Sequence, residues 1–249
     1  MFVGHYSASL VARRVAPELP LWALLLAAQA VDVAWAIFVL LGIEHVRIVP
    51  GHTATNPLDL HHMPWTHSLP AALAWSLGVA ALGWAWARRP APMAAGQLAA
   101  AARPLSAATG RHAATPGRVA VVLGAVVFSH WVLDLIVHAP DLPLWGDGRK
   151  VGLGLWNHVV ASTALELALL VGAALWLRAD RAAWRRAGGR ALGVFVGVLV
   201  VFHAVNLFGP PPPSVAAVGI AGLSVYLVVA LVGAWLERRA GRPVPATAS

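Results

Sequence analysis

His130, Asp134 and His138 follow one another at i, i+4 steps inside the apolar stretch FSHWVLDLIVH. On a helix they share one face, about 6 Å apart along the axis at each step. Two imidazoles and a carboxylate so spaced can offer ligands to a divalent cation from neighbouring turns. The surrounding segment, 119–137, is otherwise almost wholly apolar and long enough to cross a bilayer. Ionisable groups are costly in lipid, so these three must face a partner, a metal or a water-filled cavity. The plainer alternative is interhelical hydrogen bonding, which membrane bundles also use.

The elements that position them follow from composition. The chain has 249 residues, 59% of them hydrophobic and only 11% charged, with a mean hydropathy of +0.71. Soluble domains carry about 25% charged residues. An all-α fold is expected: a polytopic membrane helix bundle of about six transmembrane helices plus a short N-terminal helix. The spans read as 19–43, 66–87, 118–138, 154–178, 190–208 and 214–236. The whole chain, 1–249, is one integral membrane domain, with an Ala/Pro/Arg-rich stretch at about 89–117 read as a mobile cytoplasmic linker. The absence of cysteine excludes disulfides, thiolate zinc sites and cysteine nucleophiles.

A formal charge of +8 invites a nucleic-acid reading, but the basic residues stand at the ends of apolar segments. No nucleic-acid partner is expected. Fifteen of the eighteen Lys and Arg residues fall on one side of a six-span topology, against Arg47, Arg149 and Lys150 on the other. The positive-inside rule makes that side, with both termini, cytoplasmic.

Helix rise converts sequence distance into depth. Pro20 to Asp32, Arg118 to His130 and Glu166 to Arg178 are each 12 residues, which is about 18 Å of helix. Three spans thus bring Asp32, His130 and Glu166 to one level. A short helix over 2–16, folded back at Pro17 to Pro20, would carry His5 to the same depth. His67, His138 and His158 fall in an outer tier about 30 Å up. The two tiers suit one metal site only if the loop carrying His67 folds inward.

The candidate metal ligands are therefore His130, Asp134, Asp32, His67 and His5. Histidine plus carboxylate ligation suits a divalent metal, zinc in the first place. Glu166 is the candidate general base, or a group that orients a ligand histidine, and His138 joins it as a catalytic candidate. His203 and Asn206 read as packing residues, His45, His52 and His61 as solvated loop residues, and Asp141 and Asp147 as loop caps.

At Gly4-His5, Asp32, His62-x-x-x-Thr66-His67-Ser68 and Ser129-His130-x-x-x-Asp134 the chain resembles a family of bacterial inner-membrane-associated metal-dependent hydrolases, also called LexA-binding. The resemblance spans roughly the first 170 residues. It implies a multi-pass protein of the bacterial inner (cytoplasmic) membrane with a metal-dependent hydrolase site. Two positions depart from the family pattern: Met63 stands where arginine follows the first histidine of a His-Arg-Gly motif, and Pro64 where glycine is usual. An outward-facing site buried in a bundle suits a phosphoester or lipid-linked ester, with membrane lipid as partner. The competing expectation is an ion-coupled transporter using the intramembrane carboxylates Asp32 and Glu166. Trp22 to Asp32 and Trp156 to Glu166 repeat one spacing in spans of opposite direction, as an inverted repeat would.

Overall fold

The structure, a computed structural model, describes residues 1–89 and 115–240. The expected linker lies outside these residues except at its two ends, and His112 lies outside them altogether. The chain is an all-α polytopic bundle. A 3₁₀ turn, Val3–His5, leads into α1 (Tyr6–Val15), followed by α2 (Leu21–Ala28) and α3 (Ala30–Leu40). Next come α4 (Leu69–Ala87), α5 (Pro116–Val137), α6 (Val159–Ala179), the short α7 (Arg181–Arg186), α8 (Arg190–Phe208) and α9 (Val215–Ala240).

Five helices, α4, α5, α6, α8 and α9, are long and apolar enough to cross a membrane. The expected first span is a bent pair: α2 and α3 meet at 54° around Gln29, and counted as one span they make six. Sequence periodicity could not show this break, because both halves are apolar apart from Asp32.

Two antiparallel hairpins decorate the connections. β1 (His45–Ile48) pairs with β2 (Leu58–His62) between α3 and α4, and β3 (Leu142–Trp145) pairs with β4 (Arg149–Val151) between α5 and α6. The hairpins are clipped together where His62 Nδ1 meets Asp147 Oδ2 at 2.8 Å. Burial pushes the Asp147 carboxyl up, but the hydrogen bond with His62 and the charge of Lys150 together outweigh it and hold it below the usual carboxylate range. Asp147 is thus a fastener between hairpins rather than a loop cap.

The bundle is turned inside out relative to a soluble protein. Leu77, Leu82, Val121, Val160, Val194 and Phe208 are exposed, whereas His5, His67, His130, Asp134, His138 and Glu166 are buried. Lipid solvates the first set, and the second must satisfy itself within the protein. The helix at the N-terminus is part of this interior. α1 packs on α6 and α2, and the buried Arg13 near its end pairs with Glu237 of α9 at 2.8 Å. The expected fold-back of this segment is therefore what the structure shows.

α9 lies along the bent pair through two glycines. A Cβ at Gly219 would stand 2.8 Å from Leu40 Cγ, and one at Gly233 would stand 2.6 Å from Leu25 Cδ1. Small residues let membrane helices approach closely, and such packing drives their association in lipid. Gly219→Leu is expected to push α9 off α3 and cost about 1–3 kcal/mol, as overpacking does. A thermal unfolding series in detergent checks this: an unchanged midpoint for the variant would mean the contact is not close.

Candidate metal centre

The break between α2 and α3 does more than bend a span. It leaves the Ala28 carbonyl, in the last turn of α2, to accept a hydrogen bond from His130 Nδ1 at 2.9 Å. A carbonyl can only accept, so the proton sits on Nδ1. In the neutral ring Nε2 then carries the lone pair, directed at the bundle interior. It lies 3.1 Å from Asp134 Oδ2 and 3.5 Å from Asp32 Oδ1, yet it is buried and makes no hydrogen bond.

The turn before α4 sets the second histidine. Ser68 caps α4 by accepting from the Ala71 N–H, and donates to the Pro64 carbonyl at 2.7 Å. The wholly buried Glu44 accepts from the Trp65 and Thr66 backbone N–H groups and from the Thr66 hydroxyl at 2.6 Å. That hydroxyl has spent its proton on a carboxylate, so it accepts from His67 Nδ1 at 2.8 Å. His67 Nε2 then carries the lone pair, 3.4 Å from Asp32 Oδ1 and 3.8 Å from Asp134 Oδ2.

The third histidine follows α5. His138 is the first residue past its end and gives Nδ1 to Asp141 Oδ1 at 2.8 Å. Its Nε2 reaches back one turn to within 3.7 Å of Asp134 Oδ1. Asp141 is thus a partner of His138 and not a loop cap. A ring N–H held by a carboxylate, carbonyl or hydroxyl is how metal-ligating histidines are usually oriented.

His5 completes the cluster. Its Nε2 lies 3.1 Å from Asp134 Oδ1, and its ring stacks on His130 with centroids 3.7 Å apart. The turn that carries it is pinned by Glu166, whose Oε2 accepts from the Phe2 N–H at 2.9 Å and the Gly4 N–H at 3.2 Å. The α-amino nitrogen of Met1 also lies 2.6 Å from Asp134 Oδ1. Asp32, held through Oδ2 by the Tyr226 hydroxyl at 3.2 Å, stands on the far side.

Seven residues singled out from the sequence thus meet: four histidines converge around two carboxylates, Asp32 and Asp134, and Glu166 anchors the turn that carries one of the histidines. The two tiers expected from helix rise are one. His67 is not helical and turns inward ahead of α4, while His138 spans the distance with its side chain. His158 is exposed and takes no part. His203 is a correction of another kind. It is buried with neither ring nitrogen hydrogen-bonded, 3.8 Å from Glu166 Oε2, and it lines the cavity rather than simply packing.

The residues fit a divalent ion. Two sets of donor atoms, His5, His130 and Asp134 on one side and Asp32, His67 and His130 on the other, each lie within 4.8 Å of one another. Lone-pair nitrogens facing carboxylate oxygens repel unless a cation lies between them, and the buried His130 Nε2 makes no hydrogen bond among the described residues. Beside the cluster is a cavity of about 160 Å³, lined by Asp32, His67, Asp134 and His138 at one end and by Ser162, Thr163, Glu166, His203 and Asn206 along α6 and α8. Thr55, Asn56, Leu58, Asn206 and Leu207 are shared with a second cavity of about 400 Å³, which continues past the 50–58 loop and the prolines at 210–212.

Sequence reasoning missed Glu44 and Tyr226, and read Asp141 as a loop cap. His138-x-x-Asp141 carried a usable signal, one helical turn from a candidate ligand, and Glu44 is the single acid just beyond the first span. Tyr226 carried none, since an isolated tyrosine in α9 looks like packing. Comparison of the chain with family models, with curated proteins and with solved structures yields no match.

Proposed function

We propose that this protein is a membrane-bound metal-dependent hydrolase whose centre opens toward the outer side of a bacterial inner membrane. One observation carries the reading. His67, His130 and His138 each have Nδ1 tied to an acceptor, so that three Nε2 lone pairs converge on Asp32 and Asp134. In the neutral rings none of these three nitrogens can donate to the carboxylates, which suits a cation between them. Zinc suits a borderline donor set of imidazole and carboxylate without thiolate. Such an ion supplies Lewis-acid activation of water and of the substrate's ester or phosphoester oxygen.

The chain's own residues supply the rest. The Thr66 hydroxyl, itself held by Glu44, the Ala28 carbonyl and Asp141 fix the three ring orientations. Asp32 and Asp134 provide the negative charge that draws a cation into an apolar bundle. Glu166 lines the cavity, and its Oε1 makes no hydrogen bond among the described residues, which leaves it free to take a proton. Trp35, Met63 and Trp156 give the cavity an apolar side, suited to an amphiphilic or lipid-linked substrate held by its polar end.

The orientation rests on the charge asymmetry. Arg88, Arg89, Arg118, Arg178, Arg190, Arg238 and Arg239 flank the span ends away from the two hairpins. The positive-inside rule then puts both termini in the cytoplasm and the hairpins outside.

The full chain, purified in lipid nanodiscs and made metal-replete, is expected to retain stoichiometric divalent metal. It should hydrolyse a member of a phosphoester and lipid-ester panel in a chelator-sensitive, zinc-restored manner. Protein that binds no metal, or hydrolysis indifferent to chelator, would overturn the proposal. Proton-dependent flux in liposomes with no hydrolysis would instead support a carrier built on Asp32 and Glu166, which share the cavity.

A further inference from the structure

Resting on the metal-centre reading, we infer that the centre holds two divalent ions bridged by Asp134. The carboxylate divides its surroundings. Oδ2 faces His130 Nε2 at 3.1 Å and His67 Nε2 at 3.8 Å. Oδ1 faces His5 Nε2 at 3.1 Å and His138 Nε2 at 3.7 Å. Asp32 sides with the first pair: its Oδ1 lies 3.4 Å from His67 Nε2 and 3.5 Å from His130 Nε2.

Bond lengths decide between one ion and two. Zinc–nitrogen and zinc–oxygen bonds are about 2.0–2.2 Å, so two donors to one ion stand no more than about 4.4 Å apart, and about 3.3 Å apart in a tetrahedron. The contacts among Asp32, His67, His130 and Asp134 Oδ2 lie between 3.1 and 3.8 Å, close to tetrahedral edges. His5 and His138 gather around the other oxygen. Two sets of donor atoms share His130, namely His5, His130 and Asp134, and Asp32, His67 and His130; His138 belongs to neither and approaches Asp134 Oδ1 from its own side. An imidazole nitrogen has one lone pair, so His130 can serve only one ion, and its oxygen neighbours place it with His67.

Coordination number points the same way. A single ion taking all six residues would be saturated and could not receive a substrate oxygen, whereas catalytic sites keep a position open. Divided between two ions, the set gives one ion Asp32, His67, His130 and Asp134 Oδ2. The other receives His5, His138 and Asp134 Oδ1, with room for further ligands. The Asp141 carboxylate behind His138 holds that ring with Nε2 toward Asp134 for this purpose. In this structure the Met1 amino nitrogen lies 2.6 Å from Oδ1, and an ion entering there takes its place beside the carboxylate. Carboxylate-bridged pairs stand about 3.5–4 Å apart and can hold both the attacking and the leaving oxygen of a displacement. That geometry favours phosphoesters over carboxylic esters as the substrate class.

The test uses the full chain in nanodiscs, stripped of metal and titrated with cobalt(II) as the probe. Two cobalt ions per chain are expected, giving a spin-coupled EPR signal. His138→Gln should lower the count from two to one and abolish the coupling, while His45→Ala in the outer hairpin should change neither. Saturation at one cobalt ion in the wild type overturns the two-ion centre and leaves the metal-centre reading standing. Two ions without coupling overturn it as well, since the second must then lie elsewhere. No bound cobalt at all removes the metal-centre reading itself. The wild-type count and spectrum decide the question even if the His138 variant fails to fold.

Discussion

Asp134→Asn is expected to lower divalent-metal affinity by at least ~100-fold while the protein still inserts and purifies. Loss of a partner behind a ligand typically costs 10–100-fold, and Asp134 is itself the group on which four histidines converge, with both of its oxygens engaged. The amide keeps the shape of the carboxylate and removes its charge. The variant therefore tests the cation's counter-charge rather than the packing of α5. Competition with a chelator of known affinity measures the change. An affinity within about threefold of wild type would show that Asp134 is interhelical glue and would remove the basis for a metal centre.

Glu166 separates two roles through two substitutions. Glu166→Gln retains a carbonyl oxygen that can accept from the Phe2 and Gly4 N–H groups, so the turn carrying His5 stays seated and metal content is expected to hold. Turnover should fall by about 10²–10⁴-fold, the range that a general base contributes. Glu166→Ala also releases the turn, and metal affinity should drop as well, by about 10–100-fold, as His5 leaves the cluster. A Gln variant with wild-type turnover would make Glu166 an anchor only. An Ala variant with unchanged metal affinity would show that His5 is not held by this contact.

Much of this site was legible before the structure. Helix rise alone brought Asp32, His130 and Glu166 to a common depth, because an apolar span is a ruler with a fixed step and few ambiguities. The fold-back of α1 was legible too, since Pro17 and Pro20 mark a turn and His5 balances Asp32 across it. Rise could not reach the residues outside helices. His67 approaches Asp134 through a turn held by Glu44, and no periodicity encodes that contact between positions 22 residues apart. The break at Gln29 was equally silent, yet it frees the carbonyl that orients His130. What sequence supplied was the set of donors. What it lacked was the backbone that decides which nitrogen of each ring carries the proton.

The bond from Phe2 to Glu166 joins residues 164 positions apart. During synthesis, at about 5–20 residues per second, the segment bearing His5 leaves the ribosome long before α6 exists. It must wait, unseated, until the fourth span has entered the membrane and offers Glu166. A segment made early is thus placed late, and a nascent chain that stops short of α6 has most of its ligands but no finished centre. On the proposed metal-centre reading, metal capture then becomes a late event in biogenesis. It reports that the bundle has closed, and it locks the closed form by adding binding free energy that an incomplete chain cannot recover.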